Sequence, residues 1–126
     1  MTAILDAGAL LALEANDRAM WRRLKAALLE GAPPRTHGGV LGQAWRGRGP
    51  RSALLARALE GVEVRPLDAV LGRAAGELLG RSRGRDVIDA ALVLLAQDGD
   101  ALFTSDVGDL RALAAHAQRD VDVVRV

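Results

Sequence analysis

The chain has 126 residues, the size of one domain, and half of them are hydrophobic, enough for one core. It has no cysteine, which excludes disulfides, zinc–thiolate sites and thiol chemistry, and a net charge of +1, so any contact with nucleic acid has to rest on local basic patches. Trp21, Trp45 and Phe103 are its only aromatic residues, so the core has to be built from Leu, Val, Ile and Ala. No apolar stretch reaches the roughly 18–20 residues needed to cross a bilayer. Asp6 interrupts the first apolar run and no basic segment precedes it. The expectation is a cytoplasmic protein with no membrane contact.

In chain order, Thr2–Leu5 reads as a strand and Ala7–Glu14 as an apolar helix. Asn16 or Asp17 caps a second helix, Arg18–Glu30, whose apolar residues Met20, Trp21, Leu24, Ala27 and Leu28 recur at helical spacing. Gly31, Pro33 and Pro34 end it. Arg35–His37 carries only a faint strand signal. Gly39–Arg46 reads as helix, Gly47–Pro50 as a turn and Arg51–Glu60 as helix again. Val62–Arg65 is a strand candidate, and Pro66 and Asp68 start a helix that runs to Leu79. Gly80–Arg85 reads as a flexible basic loop. Val87–Ala96 is helix, Ala101–Thr104 strand, Val107–Ala117 helix and Val121–Val124 a last strand. There is no repeat and no linker long enough to separate domains.

Strands alternating with helices predict an α/β fold of three layers, with a parallel sheet between helices. In such sheets, sites form beyond the carboxyl ends of the strands. Asp6 directly follows the first strand and is the only charged side chain between Met1 and Leu13. Asp106 closes the run Leu102-Phe103-Thr104-Ser105-Asp106. Asp89 is the one polar residue in Val87–Ala96, and Asp86 lies three residues before it, on the same side of a helix. A carboxylate among apolar residues is costly unless paired, and several together call for a cation. Acids without cysteine suit Mg2+ or Mn2+ rather than zinc. Plain helix capping is the competing explanation. Asp6 and Asp106 each precede a helix, and Asp86 with Asp89 has the spacing of a capping box. Capping does not account for Asp89 alone. Asp109 reads as a solvated acid in the first turn of its helix.

Three segments together resemble the PIN-domain family, and within it the VapC ribonuclease toxins of type II VapBC toxin–antitoxin systems. Ile4-Leu5-Asp6-Ala7-Gly8-Ala9-Leu10 is similar to that family's opening strand and aspartate. Asp86-Val87-Ile88-Asp89-Ala90-Ala91 resembles its acidic helix, and Leu102-Phe103-Thr104-Ser105-Asp106 its T-x-D strand end. The resemblance implies a sheet of about five parallel strands in a single domain over residues 1–126. It implies metal-dependent cleavage of single-stranded RNA, with Mg2+ or Mn2+ held by Asp6, Asp89 and Asp106 and with Asp86 in the catalytic set. Thr104 and Asp109 are expected in support. It also implies a homodimer and a VapB-like antitoxin. Two positions depart from the family. Gln43 stands where a glutamate is usual, offering an oxygen but no charge, and Gly8 stands where Ser or Thr is common. A catalytically weakened protein that binds RNA or antitoxin is therefore the alternative.

Arg81, Arg83 and Arg85 precede Asp86, and Arg46 lies by a Gly/Pro turn; guanidinium groups suit phosphate contacts, and these four are the candidate RNA-binding residues. Lys25 is the only lysine, so arginine is the default cation here. Trp21 and Trp45 are expected in the core or at a partner interface, and His37 and His116 in surface or structural roles. Ala9–Leu13 and Arg51–Leu59 are candidate surfaces for a dimer or antitoxin. A receiver-like phosphorylation domain would need a second early acid and a late lysine, which are missing. A dinucleotide-binding domain would need a glycine-rich loop after the first strand, also missing.

Overall fold

The computed structural model describes all 126 residues and contains five strands and seven helices. In chain order these are β1 (Ala3–Leu5), α1 (Ala7–Glu14), α2 (Arg18–Leu29), β2 (Arg35–His37), α3 (Gly38–Ala44), α4 (Gly49–Leu59), β3 (Glu63–Arg65), α5 (Ala69–Ser82), α6 (Val87–Leu95), β4 (Ala101–Thr104), α7 (Val107–His116) and β5 (Asp122–Arg125). The strands form one wholly parallel sheet in the order β3-β2-β1-β4-β5. The chain steps outward from β1 to β3, then crosses to β4 and steps outward the other way. Right-handed crossovers accordingly put α1–α4 on one face and α5–α7 on the other, giving three layers. The strand order reverses between β1 and β4, where such sheets form their crevice.

β1 is central and fully buried, with Ala3, Ile4 and Leu5 opposite Ala101, Leu102 and Phe103 of β4. A parallel strand covered on both faces has no reason to alternate, and none of these residues is polar. β2 is made differently. Arg35-Thr36-His37 has no aliphatic residue, yet Thr36 and His37 are completely buried. The Thr36 hydroxyl donates to the Leu5 carbonyl at 2.8 Å, and His37 plugs into the start of α6. Tertiary contacts, not strand propensity, hold this strand. Helix starts follow sequence signals more closely. Asp17 accepts from Met20 N at 2.9 Å and Asp68 from Leu71 N at 3.0 Å. The core gathers 28 buried apolar residues, of which Phe103 is the one aromatic.

Several sequence expectations change. Gly80, Arg81 and Ser82 are not loop: α5 runs through Ser82, and only Arg83–Asp86 remain between helices. Helix formers before Gly80 and the solvent-facing polar residues after it extend α5 by nearly one turn. α3 stops at Ala44, leaving Arg46 outside it, and α4 starts at Gly49 with Pro50 in its first turn, so the turn at Gly47–Pro50 is shorter than predicted. Asp17, not Asn16, caps α2; Asn16 takes a left-handed φ of 61° in the connection. The Ala9–Leu13 segment is core rather than a free surface, because Ala9, Leu10 and Leu13 are buried. On α4, Leu55 and Ala58 face inward likewise. Trp45 is exposed, whereas Trp21 packs against the core and its indole donates to the Leu13 carbonyl at 3.0 Å. His37 is structural and wholly interior.

Candidate active site

Asp6 sits at the carboxyl end of β1, the N-cap of α1, with 7% of its surface exposed. Its Oδ1 accepts from Ala9 N at 2.9 Å. Its Oδ2 accepts from the Thr104 hydroxyl at 2.5 Å and from Ser105 N at 3.3 Å. The adjacent strand end thereby aims this carboxylate. Thr104 Oγ1, itself buried, in turn accepts from Asp106 N at 2.8 Å. One hydroxyl thus links the two acids that follow β1 and β4.

Capping explains Asp6 and Asp86 in part and Asp106 not at all. Asp86 Oδ1 accepts from Ile88 N at 2.9 Å and Asp89 N at 3.1 Å. The reciprocal half of a capping box is absent, so the Asp89 carboxylate is not spent on the backbone. Asp106 stands at the N-cap position of α7 but makes no side-chain cap. Asp89 is half-buried, and its pKa is pushed up to about 6, first by burial and then by the charges of Asp86, Asp6, Asp106 and Asp109. Five carboxylates therefore share one field. Asp109 is exposed and is also raised, chiefly by the charge of Asp106 beside it. None of the five has an ion-pair partner, since both ion pairs of the chain involve Glu63.

This donor set suits a hard divalent cation in charge and chemistry. As the side chains stand, no three acids or histidines are gathered closely enough to grip an ion. A cation held by all three would require Asp89 and Asp106 to swing toward Asp6, and neither side chain is tied to its own helix end.

A cavity of about 360 Å3 opens beside the acids, lined by Asp86, Asp89 and Asp109 with Ser82, Arg83, Gly84 and Arg85. Arg83 and Arg85 reach it; Arg81, in the last turn of α5, and Arg46 are not in its lining. Arg46 folds back on the carbonyls of Gly42 and Trp45. Gln43 is exposed on α3 and hydrogen-bonds none of the acids. A larger cavity, about 430 Å3, lies between α2 and α4 against Trp21, Leu24 and Leu28. It is lined by Arg18, Arg22, Lys25 and Arg57 and by no acid, so it lacks the donors for cation chemistry.

Two residues connect to the site in ways the sequence does not show, although a surface or structural role is what it predicts for His37. His37 Nδ1 accepts from Gly39 N at 3.0 Å, so Nε2 carries the proton and donates to the Ile88 carbonyl at 2.9 Å. This ring bolts β2 to the residue before Asp89. The second is Ser105. Its signal in the sequence was the glycine at position 8, since the two positions share one space.

No family model and no curated protein matches the chain. Among solved structures, the fold superimposes on a chain of VapBC2 from Rickettsia felis bound to a DNA fragment from their promoter, with a TM-score of 0.71. The match covers 100% of this chain and 99% of that one, at 12% sequence identity. The two share the three-layer α/β/α fold with its central parallel sheet.

Proposed function

We propose that the protein is a metal-dependent endoribonuclease acting on single-stranded RNA, the toxin of a VapBC-type pair. The observation that carries this is the convergence of Asp6, Asp86, Asp89, Asp106 and Asp109 where the strand order reverses, with no basic partner, so that burial and then the neighbouring charges lift Asp89 to about 6. Asp6, Asp89 and Asp106 would hold Mg2+ or Mn2+. When bound, such a cation makes water a better nucleophile and stabilises charge on the phosphate. Asp6 is held in aim by Thr104, Ser105 N and Ala9 N. Asp89, at about 6 without a cation, would give up its proton as the cation binds, so binding should strengthen as pH rises through 6. Arg83 and Arg85 hold the RNA backbone across the cavity. The full-length fold match to a VapBC2 chain supports a VapB-like antitoxin as partner; a homodimer is the assembly proposed with it. The cationic α2–α4 cavity suits an acidic amphipathic segment of that partner.

The second reading is a weakened enzyme that binds RNA or antitoxin without efficient cleavage. Neutral, exposed Gln43 and the unclosed acid set favour it. Cleavage of a mixed single-stranded RNA pool, with Mn2+, Mg2+ or chelator, decides between them. The enzyme reading expects metal-dependent cutting that Asp6→Asn and Asp89→Asn each lower by about 100-fold or more. A folded wild type that binds RNA but cuts under neither metal establishes the second reading instead.

A further inference from the structure

Gly8 follows Asp6 by two residues on α1, and its φ lies in the ordinary range, so the backbone does not demand glycine there. Space does. A Cβ at position 8 would stand 2.6 Å from Ser105 Oγ, 2.8 Å from Ser105 Cβ and 3.1 Å from Asp6 Oδ1. The Ser105 side chain, arriving from the end of β4, fills the volume that a side chain at position 8 would take. Its backbone is fixed on both sides: the N–H donates to Asp6 Oδ2 and the carbonyl accepts from Arg125. Its hydroxyl has no protein partner and remains accessible to solvent. Asp6 Oδ1, on the same side, accepts only the Ala9 N–H and keeps a free lone pair.

We infer that Ser105 is a positioning residue of the cation site, supplying across the sheet the hydroxyl that α1 lacks at Gly8. This rests on the proposed metal-dependent reading. The Ser105 N–H already braces the Asp6 carboxylate, and the free hydroxyl beside it would hold the water around a cation bound there. Partners of this kind fix the orientation of a ligand without themselves binding the metal. Glycine at 8 and serine at 105 are then one arrangement, and neither can change alone without consequence.

The test is calorimetric titration of the metal-free chain with MnCl2, with thermal melts in chelator alongside. The variants are Ser105→Ala, Ser105→Thr, Asp6→Asn, Gly8→Ser, and Gly8→Ser combined with Ser105→Gly. Ser105→Ala should weaken Mn2+ binding by about tenfold, and Ser105→Thr should restore it. Gly8→Ser alone should lower the melting temperature, because its Cβ overlaps Ser105. The swapped pair should recover both the melting temperature and the Mn2+ affinity. If Ser105→Ala binds Mn2+ like wild type while Asp6→Asn loses it, the role of Ser105 is overturned and the metal site stands. If the folded wild type takes no Mn2+, the metal-dependent reading falls and this inference with it. A swapped pair that folds but binds like Ser105→Ala overturns the exchange. Should the pair not fold, the Ala and Thr variants at 105 decide.

Discussion

At the scale of single residues, the site is a balance between charge crowding and hydrogen bonding. Asp89 carries the crowding, through burial and then through four neighbouring carboxylates. An acid whose folded pKa is raised binds its proton in the native state while the unfolded chain has already lost it. Its charged form therefore opposes folding above about pH 6, and the opposition fades as pH falls toward 3.8. In chelator, Asp89→Asn should be more stable than wild type at pH 8, by about 1 kcal/mol once solvent screening is allowed for. Denaturant midpoints should show the gap closing as the solution is acidified, and a gap independent of pH would contradict this origin. Thr104 carries the hydrogen bonding. Replacing it with Val leaves Asp6 and the Asp106 N–H each short of a partner in the interior. A loss of about 1–3 kcal/mol is expected in thermal melts, with a larger fractional loss of RNA cleavage. These acids were legible in the sequence because each follows or interrupts an apolar run. Ser105 and the aim of Asp6 were not, because the bonds that fix them, from Thr104 and from Ser105, join residues 98 and 99 positions apart.

At the scale of elements, two connections shape the site. The first is the β2–α3 junction, where buried His37 caps α3 through Nδ1 and holds α6 through Nε2. Burial keeps its pKa below the usual 6.5, so the folded chain refuses a proton that the unfolded chain accepts. Stability is full above 6.5, falls as pH drops from 6.5 toward the lowered value, and levels off below it. His37→Gln should flatten that slope in urea denaturation between pH 7 and pH 6, at an overall cost of about 2–3 kcal/mol for the imperfect fit. The second is the α5–α6 link, where Arg83 ends α5 with a left-handed φ of 58°. Glycine favours that conformation and arginine does not. Arg83→Gly should raise stability by about 1 kcal/mol and weaken RNA binding, whereas a variant both less stable and unimpaired in binding would contradict the role given to this side chain. β1, β4 and α6 could be read from their apolar runs. β2 could hardly be read, since Arg35, Thr36 and His37 earn their strand only through Leu5 and Ile88. The end of α5 was misplaced because Gly80-Arg81-Ser82 has loop composition, while packing of the helix body carries it on to Ser82.

At the scale of the whole molecule, a net charge of +1 leaves no long-range attraction for RNA. Under the proposed reading, affinity for RNA would rest on the few cations at the acid cavity. With two arginines there, a plot of log K against log salt for single-stranded RNA should have a slope of about −1.4, and Arg85→Ala should move it about 0.7 toward zero. A slope unmoved by that substitution would shift the RNA to another surface. The parallel sheet has a further effect, on the order of events during synthesis. β1, among the first residues made, completes its pairing only with β4, whose first residue is Ala101. Thr104, which aims Asp6, follows later still. While the ribosome holds the chain short of that point, Asp6, Asp86 and Asp89 already exist but are not one site. Asp86 and Asp89 are joined locally, but bringing Asp6 to them closes a loop of most of the polypeptide, and such closures come late and slowly. A nascent chain interrupted before β4 therefore lacks the assembled acid cluster, and under the proposed ribonuclease reading it would leave the RNA around it uncut until translation is nearly done.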